Sequence, residues 1–396
     1  MENAIKHLRI QNFKSIKDVT LKPRRVNIII GEPNVGKSNI LEAMSLLGAG
    51  LYDRGDKFLG DVLRYETLLN LFYDNDSSQP VRLEADTGQV ILAADETNGG
   101  YRFVQISEEL WRQFQNVVKL QVEGIRLASE QETPEDALRQ MATLELDGIR
   151  LGAAFMEPSV QASPYSFAQA RVQEDGRYTH LASRYARPAV LPRKYVFRPG
   201  QPHNATSRFR FLTPPLGHNL LSIAEQNPTL RRQMAALFKP YGLSLVLRVG
   251  ERKFEIQKQV EDLIYTYPYS LIADTLQRLI FYLAAIESND NTVLLFEEPE
   301  AHSFPVYVSR LGRHIVESRN NQFFLITHSD YLVTEILEEM LTDDTLTGEL
   351  AIFAAYYEDY QTKVHQLSDQ EILDIRADGI DVFYNMERFT TGRENG

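Results

Sequence analysis

The stretch Val26-Asn27-Ile28-Ile29-Ile30-Gly31-Glu32-Pro33-Asn34-Val35-Gly36-Lys37-Ser38-Asn39-Ile40-Leu41-Glu42-Ala43-Met44 decides how this chain is read. An apolar β-branched run stops at a glycine, four residues intervene, and Gly-Lys-Ser opens a run of good helix formers. The pattern is a phosphate-binding loop set between a buried strand and a helix. The two glycines let the backbone bend so that successive N–H groups face a phosphate, and the helix adds the positive end of its dipole. In such a loop Lys37 reaches the β- and γ-phosphates and the Ser38 hydroxyl ligates Mg²⁺. Gly31, Asn34, Gly36, Lys37, Ser38 and Asn39 are the candidate nucleotide-binding residues, with ATP and Mg²⁺ as the expected cofactors.

A second stretch, Asn291-Thr292-Val293-Leu294-Leu295-Phe296-Glu297-Glu298-Pro299-Glu300, is a buried-strand run that ends in acids, the Walker B arrangement. It places Glu297 beside the metal, and Glu298 is then set to polarise the water that attacks the γ-phosphate. A third, Asn321-Gln322-Phe323-Phe324-Leu325-Ile326-Thr327-His328-Ser329-Asp330, is another apolar strand that ends at a histidine.

Composition bounds the rest. At 396 residues the chain is long for one domain, so two lobes or a domain with an insertion are expected. Lys+Arg 42 against Asp+Glu 54 gives a net charge of −12, which argues against broad nonspecific binding to nucleic acid or anionic membrane. Cysteine is absent, which excludes disulfides, thiolate zinc sites and a thiol nucleophile. With no signal-peptide core at Met1-Glu2-Asn3-Ala4-Ile5-Lys6 and no apolar run of membrane-spanning length, a cytoplasmic protein is expected.

Along the chain, Ile5 to Leu21 reads as strand, turn and strand. Val81 to Ala85, Gln89 to Ala94 and Tyr101 to Ile106 follow as short strands, the last two joined through Asn98-Gly99-Gly100, so an antiparallel sheet beside the nucleotide strand is expected. Glu108 to Val118 reads as a helix, and Thr133-Pro134-Glu135-Asp136 is a helix start. No heptads are sustained over many turns, which argues against a long coiled-coil arm. Between Leu181 and Leu221, Arg184, Arg187, Arg193, Lys194, Arg198, Arg208 and Arg210 occur among aromatics without any acid. Two readings stand: a surface for DNA or an acidic partner, or a linker whose cations pair with acids elsewhere. Asn219 to Phe238 and Leu271 to Ser288 read as helices, Leu243 to Gln257 as two strands, Tyr331 to Thr342 as a helix, and Leu350 to Tyr357 and Lys363 to Leu367 as strands. Asp369, Asp374, Asp378 and Asp381 read as solvated turn and helix acids in preference to a metal site.

Together these motifs resemble an ABC-type ATPase head of the RecF/SMC/OLD-like group. Ile10-Gln11-Asn12-Phe13-Lys14-Ser15-Ile16 is similar to that group's first strand, Gly36 to Ala43 to its P-loop continuation, and Glu298-Pro299-Glu300-Ala301-His302-Ser303-Phe304-Pro305 to its Walker B extension. The resemblance implies an α/β P-loop NTPase fold: an ABC-type head with an antiparallel β lobe and a helical or irregular insertion. Its expected parts are 1–106, the insertion 107–218, and 219–396. It further implies an ATPase in which Lys37 and Ser38 hold phosphates and magnesium, Glu297 supports the metal, Glu298 is the general base and His328 the γ-phosphate sensor.

Two features depart from the group. Glu297 stands where aspartate is usual, and Ile272-Ala273-Asp274-Thr275 stands where the signature segment would carry serine and two glycines, with Ser270 or Thr275 as possible substitutes. Short heads of this class resemble the ATPase subunits of bacterial antiphage systems, such as the phage anti-restriction-induced system, in which an ATPase holds a separately encoded Toprim nuclease. That resemblance implies a homo-oligomer, an effector partner and no membrane. A RecF-like repair ATPase and a nucleotide-gated assembly scaffold are the alternatives.

Overall fold

The computed structural model describes residues 3–52, 56–95, 99–108, 167–184, 191–201, 203–207, 209–342 and 346–390. The expected helices at Glu108 to Val118 and Thr133 to Asp136 lie, beyond Glu108 itself, outside the described residues.

The strand that precedes the phosphate-binding loop is central because it is apolar on both sides. In β3 (Val26–Gly31) every residue is buried. Val26, Ile28 and Ile30 face one core and Ile29 the other, the period-two alternation of a strand covered on both faces. Around it, β9 (Arg193–Tyr195), β13 (Val293–Glu297), β14 (Gln322–Ile326), β15 (Leu350–Glu358) and β16 (Gln361–Gln366) form a six-stranded sheet in the order β16-β15-β3-β14-β13-β9. All neighbours are parallel except the β15–β16 hairpin.

A second sheet forms the antiparallel lobe. β1 (Leu8–Phe13), β2 (Ile16–Leu21), β4 (Val81–Ala85), β5 (Gly88–Ala94), β6 (Tyr101–Ser107), β7 (Phe167–Val172) and β8 (Tyr178–Arg184) pair in the order β2-β1-β4-β5-β6-β7-β8. Helix α1 (Lys37–Leu46), which follows the loop, shares a core with this lobe and with one face of the parallel sheet. It is buried nearly all round for that reason. The other face of the parallel sheet packs on α2 (Leu220–Gln226), α3 (Pro228–Phe238), α4 (Asp274–Ser288), α5 (Pro305–Glu317) and α6 (Asp330–Leu341). α7 (Asp369–Asp378) and α8 (Met386–Thr390) follow the β15–β16 hairpin.

Several expectations change in detail. The helix read over Asn219 to Phe238 is two, because Asn227 leaves helical geometry, caps α3 by accepting from the Leu230 N–H, and is followed by proline at the first helical position. The two strands expected around Gly250 gain a third: β10 (Ser244–Arg248), β11 (Lys253–Val260) and β12 (Leu263–Pro268) form a small antiparallel sheet with β12 exposed along its whole length. Within the stretch expected as an insertion, β7 and β8 extend the lobe and β9 closes the edge of the parallel sheet. Asp369, Asp374 and Asp378 lie on α7, and Asp381 accepts from the N–H groups of Phe383 and Tyr384. Among the described residues no cluster of three His, Asp or Glu is placed to hold a metal, and no helix is long and apolar enough to cross a membrane.

The basic stretch needs a correction. Arg193 and Lys194 are 2% and 3% exposed, so neither presents charge to a partner. Arg193 lies over the Phe211 ring, 3.5 Å from its centroid, and donates to Asn289, whose amide reaches the Tyr195 hydroxyl at 2.9 Å. The physical reason is strand β9: inserted at the sheet edge against β13, it carries both cations inward. Arg198 pairs with Asp61 at 3.0 Å, and Arg210 is exposed. Arg184 ends β8, while Arg187 and Arg208 lie outside the described residues. Arg193→Ala is therefore expected to cost about 3 kcal/mol of stability, as truncation of a large buried side chain does. Arg210→Ala should cost less than about 0.5 kcal/mol. Urea midpoints that do not separate the two variants would contradict the buried placement.

Candidate functional site

Three strands deliver the site. β3, β13 and β14 lie side by side and parallel, so the phosphate-binding loop, the acidic pair and the histidine all emerge at their carboxyl ends. This is where open α/β sheets bind ligands.

Both loop glycines are required by their surroundings. A Cβ on Gly31 would stand 2.3 Å from the Ala355 carbonyl oxygen of β15. Gly36 has φ +93°, and a Cβ there would stand 2.1 Å from Thr362 Oγ1 and 2.6 Å from Ser15 Oγ. Those two hydroxyls are 2.6 Å apart. The Asn39 amide donates to Ser15 Oγ at 2.8 Å, Thr362 Oγ1 donates to the Val35 carbonyl at 2.9 Å, and the Thr362 N–H donates to Ser15 O at 2.7 Å. The β1–β2 turn of the lobe and the β15–β16 hairpin of the sheet are thus clasped over the loop. Asn34, exposed at the loop's tip, has φ +64°, a conformation asparagine tolerates.

Lys37 is buried, and its ammonium donates to the loop carbonyls of Gly31 (2.8 Å) and Glu32 (2.6 Å). Burial lowers its pKa, opposed by Glu298, Glu297 and Glu32. Ser38 Oγ, on the first turn of α1, donates to Glu297 Oε1 at 2.5 Å. The other oxygen of Glu297, Oε2, is 3.1 Å from Lys194 Nζ, and Arg64 approaches Oε1 at 3.7 Å. Burial pushes the Glu297 carboxyl up, but Lys194, the Ser38 hydrogen bond and Arg64 together hold it below its ordinary value. Glu42, one turn further along α1 and fully buried, accepts from Lys14 and from Arg64.

Glu298 is half exposed and stands in the left-handed region with φ +45°. Its N–H is tied to the Ile326 carbonyl at the end of β14 (2.8 Å). Holding a non-glycine residue there costs of order 1 kcal/mol and turns its side chain toward the histidine. His328 Nε2 is 3.7 Å from Glu298 Oε1. Burial and Lys37 lower the imidazole pKa against the opposing Glu298, so the ring is neutral at pH 7 and able to donate one hydrogen bond. Behind it, buried Glu300 accepts from the Thr327 hydroxyl (2.5 Å) and the His328 N–H (3.4 Å). Its carboxyl is pushed up, chiefly by burial.

The start of α4 is committed to its own chain. Thr275 Oγ1 donates to the His302 carbonyl at 2.8 Å and Arg278 donates to the Glu298 carbonyl at 3.4 Å, while Ser270 is exposed. The helix begins at Asp274 without a side-chain cap.

The candidate residues Gly31, Asn34, Gly36, Lys37, Ser38, Asn39, Glu297, Glu298 and His328 thus gather at one end of the parallel sheet. A hydroxyl and a carboxylate in hydrogen-bond contact form a hard-oxygen pair of the kind that suits Mg²⁺, and the tight glycine loop with a lysine suits phosphates. Sequence reasoning missed Ser15, Arg64, Lys194, Glu300 and Thr362. Ser15 was within a quoted motif. Glu300 also lay within the quoted acidic stretch and Lys194 within the basic one, but neither was assigned to the site; Arg64 and Thr362 reach it only by long-range pairing.

Residues 4–123 match a family model described as an AAA ATPase domain. Among solved structures, the chain is similar to an Smc head bound to the C-terminal winged-helix domain of ScpA, at 16% identity and TM-score 0.46, covering 94% of this chain and 99% of that one. It is also similar to an Smc head with an extended coiled coil, bound to the C-terminal domain of ScpA, from Pyrococcus furiosus (14%, 0.46, covering 94% and 98%). The SMC head domain from Thermotoga maritima is a third (12%, 0.37, covering 92% and 99%). No curated protein sequence matches the chain.

Proposed function

We propose that this chain is the ATP-binding and ATP-hydrolysing subunit of a bacterial antiphage defence complex, which senses a phage component and controls a separately encoded effector nuclease. The observation that supports the ATPase half is the convergence of Lys37, Ser38, Glu297, Glu298 and His328 at the carboxyl ends of three adjacent parallel strands. Lys37 and the loop N–H groups hold the phosphates. Ser38 and Glu297 are the residues that would hold Mg²⁺, which would neutralise charge on the nucleotide's phosphates. Glu298 orients and polarises the attacking water, and the neutral imidazole of His328 donates to the γ-phosphate.

The motifs from Ile10 to Ile16, Gly36 to Ala43 and Glu298 to Pro305 resemble the RecF/SMC/OLD-like group, and the defence half rests on the further resemblance of short heads of that class to antiphage ATPase subunits. A role within an assembly is supported by exposed apolar side chains. Leu263, Ile264, Tyr265 and Tyr267 line the free edge strand β12, and Leu271 and Phe304 are 72% and 69% exposed beside it. Isolated domains seldom leave such a strand edge uncovered.

The test compares wild type with Lys37→Ala in two assays. Phosphate release by the purified chain should vanish in the variant. Plaque counts on bacteria carrying the gene in its native neighbourhood should fall with wild type and recover with Lys37→Ala. Equal plaque counts would overturn the defence assignment, whereas absent phosphate release by wild type would overturn the ATPase assignment.

A further inference from the structure

Strand β9 brings an unusual residue to the metal carboxylate. It runs parallel to β13 with Lys194 opposite Leu295. Side chains two apart on a strand share a face, so Glu297 lies on the same face as Leu295 and diagonally along from Lys194. The lysine stem spans that offset, and its ammonium ends 3.1 Å from Glu297 Oε2 and 3.3 Å from the Val62 carbonyl. Lys194 is almost wholly buried, and burying an ammonium is costly unless it is paired. Its partner is the one carboxylate that also binds Ser38.

We propose that Lys194 is a positioning residue of the phosphate and metal site: it holds Oε2 of Glu297, leaves Oε1 at Ser38, and keeps the site from taking up a divalent cation until nucleotide phosphates bring compensating negative charge. The longer arm of glutamate, where aspartate is usual, is thereby anchored at its outer oxygen. The surrounding charges act in the same direction. Arg64 approaches the same carboxylate, Lys37 lies within electrostatic reach of it, and Glu42 is already occupied by Lys14 and Arg64. A free cation meets a carboxylate whose charge is spoken for, whereas a cation that arrives with a polyphosphate does not depend on Glu297 alone. Metal and nucleotide then load together, and the nucleotide-free protein stays metal-free.

The inference rests on the ATP reading above, and its test separates the two. Mn²⁺ binding to the nucleotide-free full chain is followed by electron paramagnetic resonance. Wild type and Lys194→Arg should bind Mn²⁺ weakly. Lys194→Met should bind it about tenfold more tightly or better, since one unit charge beside the carboxylate has gone. The gain should disappear in the double variant Lys194→Met/Glu297→Gln. A merely structural lysine would not produce this gain. If Lys194→Met does not fold, Lys194→Gln, which keeps a donor and removes the charge, carries the same comparison. Equal Mn²⁺ affinity in wild type and the neutral variant, or a gain indifferent to Glu297→Gln, overturns the proposal. A fluorescent ATP analogue with Mg²⁺ tests the underlying reading: wild type should bind it and Lys37→Ala should not. Failure of wild type to bind it would sink the ATP reading whatever Mn²⁺ does.

Discussion

Glu298→Gln is expected to lower ATP turnover by about 10²- to 10⁴-fold, the usual worth of a positioned general base, while ATP affinity stays near the wild-type value. The separation follows from where Glu298 sits. In the proposed reading, phosphate and metal contacts belong to Lys37, Ser38 and Glu297, whose own contacts the substitution leaves in place. Glutamine keeps the length of the side chain and tolerates the φ of +45° as glutamate does, so the loop pinned by the Ile326 carbonyl should persist. What goes is the basic oxygen beside His328. Single-turnover hydrolysis and equilibrium binding of a fluorescent ATP analogue read the two quantities apart. Turnover at the wild-type rate would remove Glu298 from the mechanism, and a parallel loss of binding would mean that it holds substrate.

Gly36→Ala should have the largest effect on binding. The new Cβ would lie 2.1 Å from Thr362 Oγ1 and 2.6 Å from Ser15 Oγ, and the backbone at φ +93° is one that alanine strains to adopt. Strain of that kind costs about 1–3 kcal/mol, and the displaced hydroxyls take the Asn39 amide and the Val35 carbonyl with them. Nucleotide binding should be lost and the melting temperature lowered. A second variant separates the causes. Thr362→Ala in the Gly36→Ala background removes the nearer clash and leaves the φ strain, so it should recover part of the melting temperature. A Gly36→Ala protein that binds nucleotide and melts like wild type would show that the clasp over the loop is absent in solution.

The phosphate-binding loop, the acidic strand end and the histidine strand were legible because each is a local pattern: a run of buried β-branched or aromatic residues followed by a polar turn of fixed spacing. Burial on both faces makes such strands uniformly apolar, and only one end of a parallel sheet is open to ligands. The break at Asn227-Pro228 was also written locally, as a capping residue followed by proline, although apolar periodicity across it suggested one helix. The basic stretch stayed open between two readings for the opposite reason. Composition counts charges without their direction, and the pairing of β9 with β13 turned Arg193 and Lys194 inward, one to the Phe211 ring and the other to Glu297.

The sequence by itself determined the α/β phosphate-loop fold, the order of its motifs and the residue types gathered at the candidate site, because spacing along the chain carries those facts. Tertiary structure alone decided that Lys194 pairs with Glu297 and that Ser15 and Thr362 clasp the loop. It also decided that Thr275 is spent on the His302 carbonyl and that β12 lies open at its edge. Each depends on strands or loops far apart in sequence meeting at a particular register. A one-residue shift of that register would turn every such side chain to the other face of its sheet.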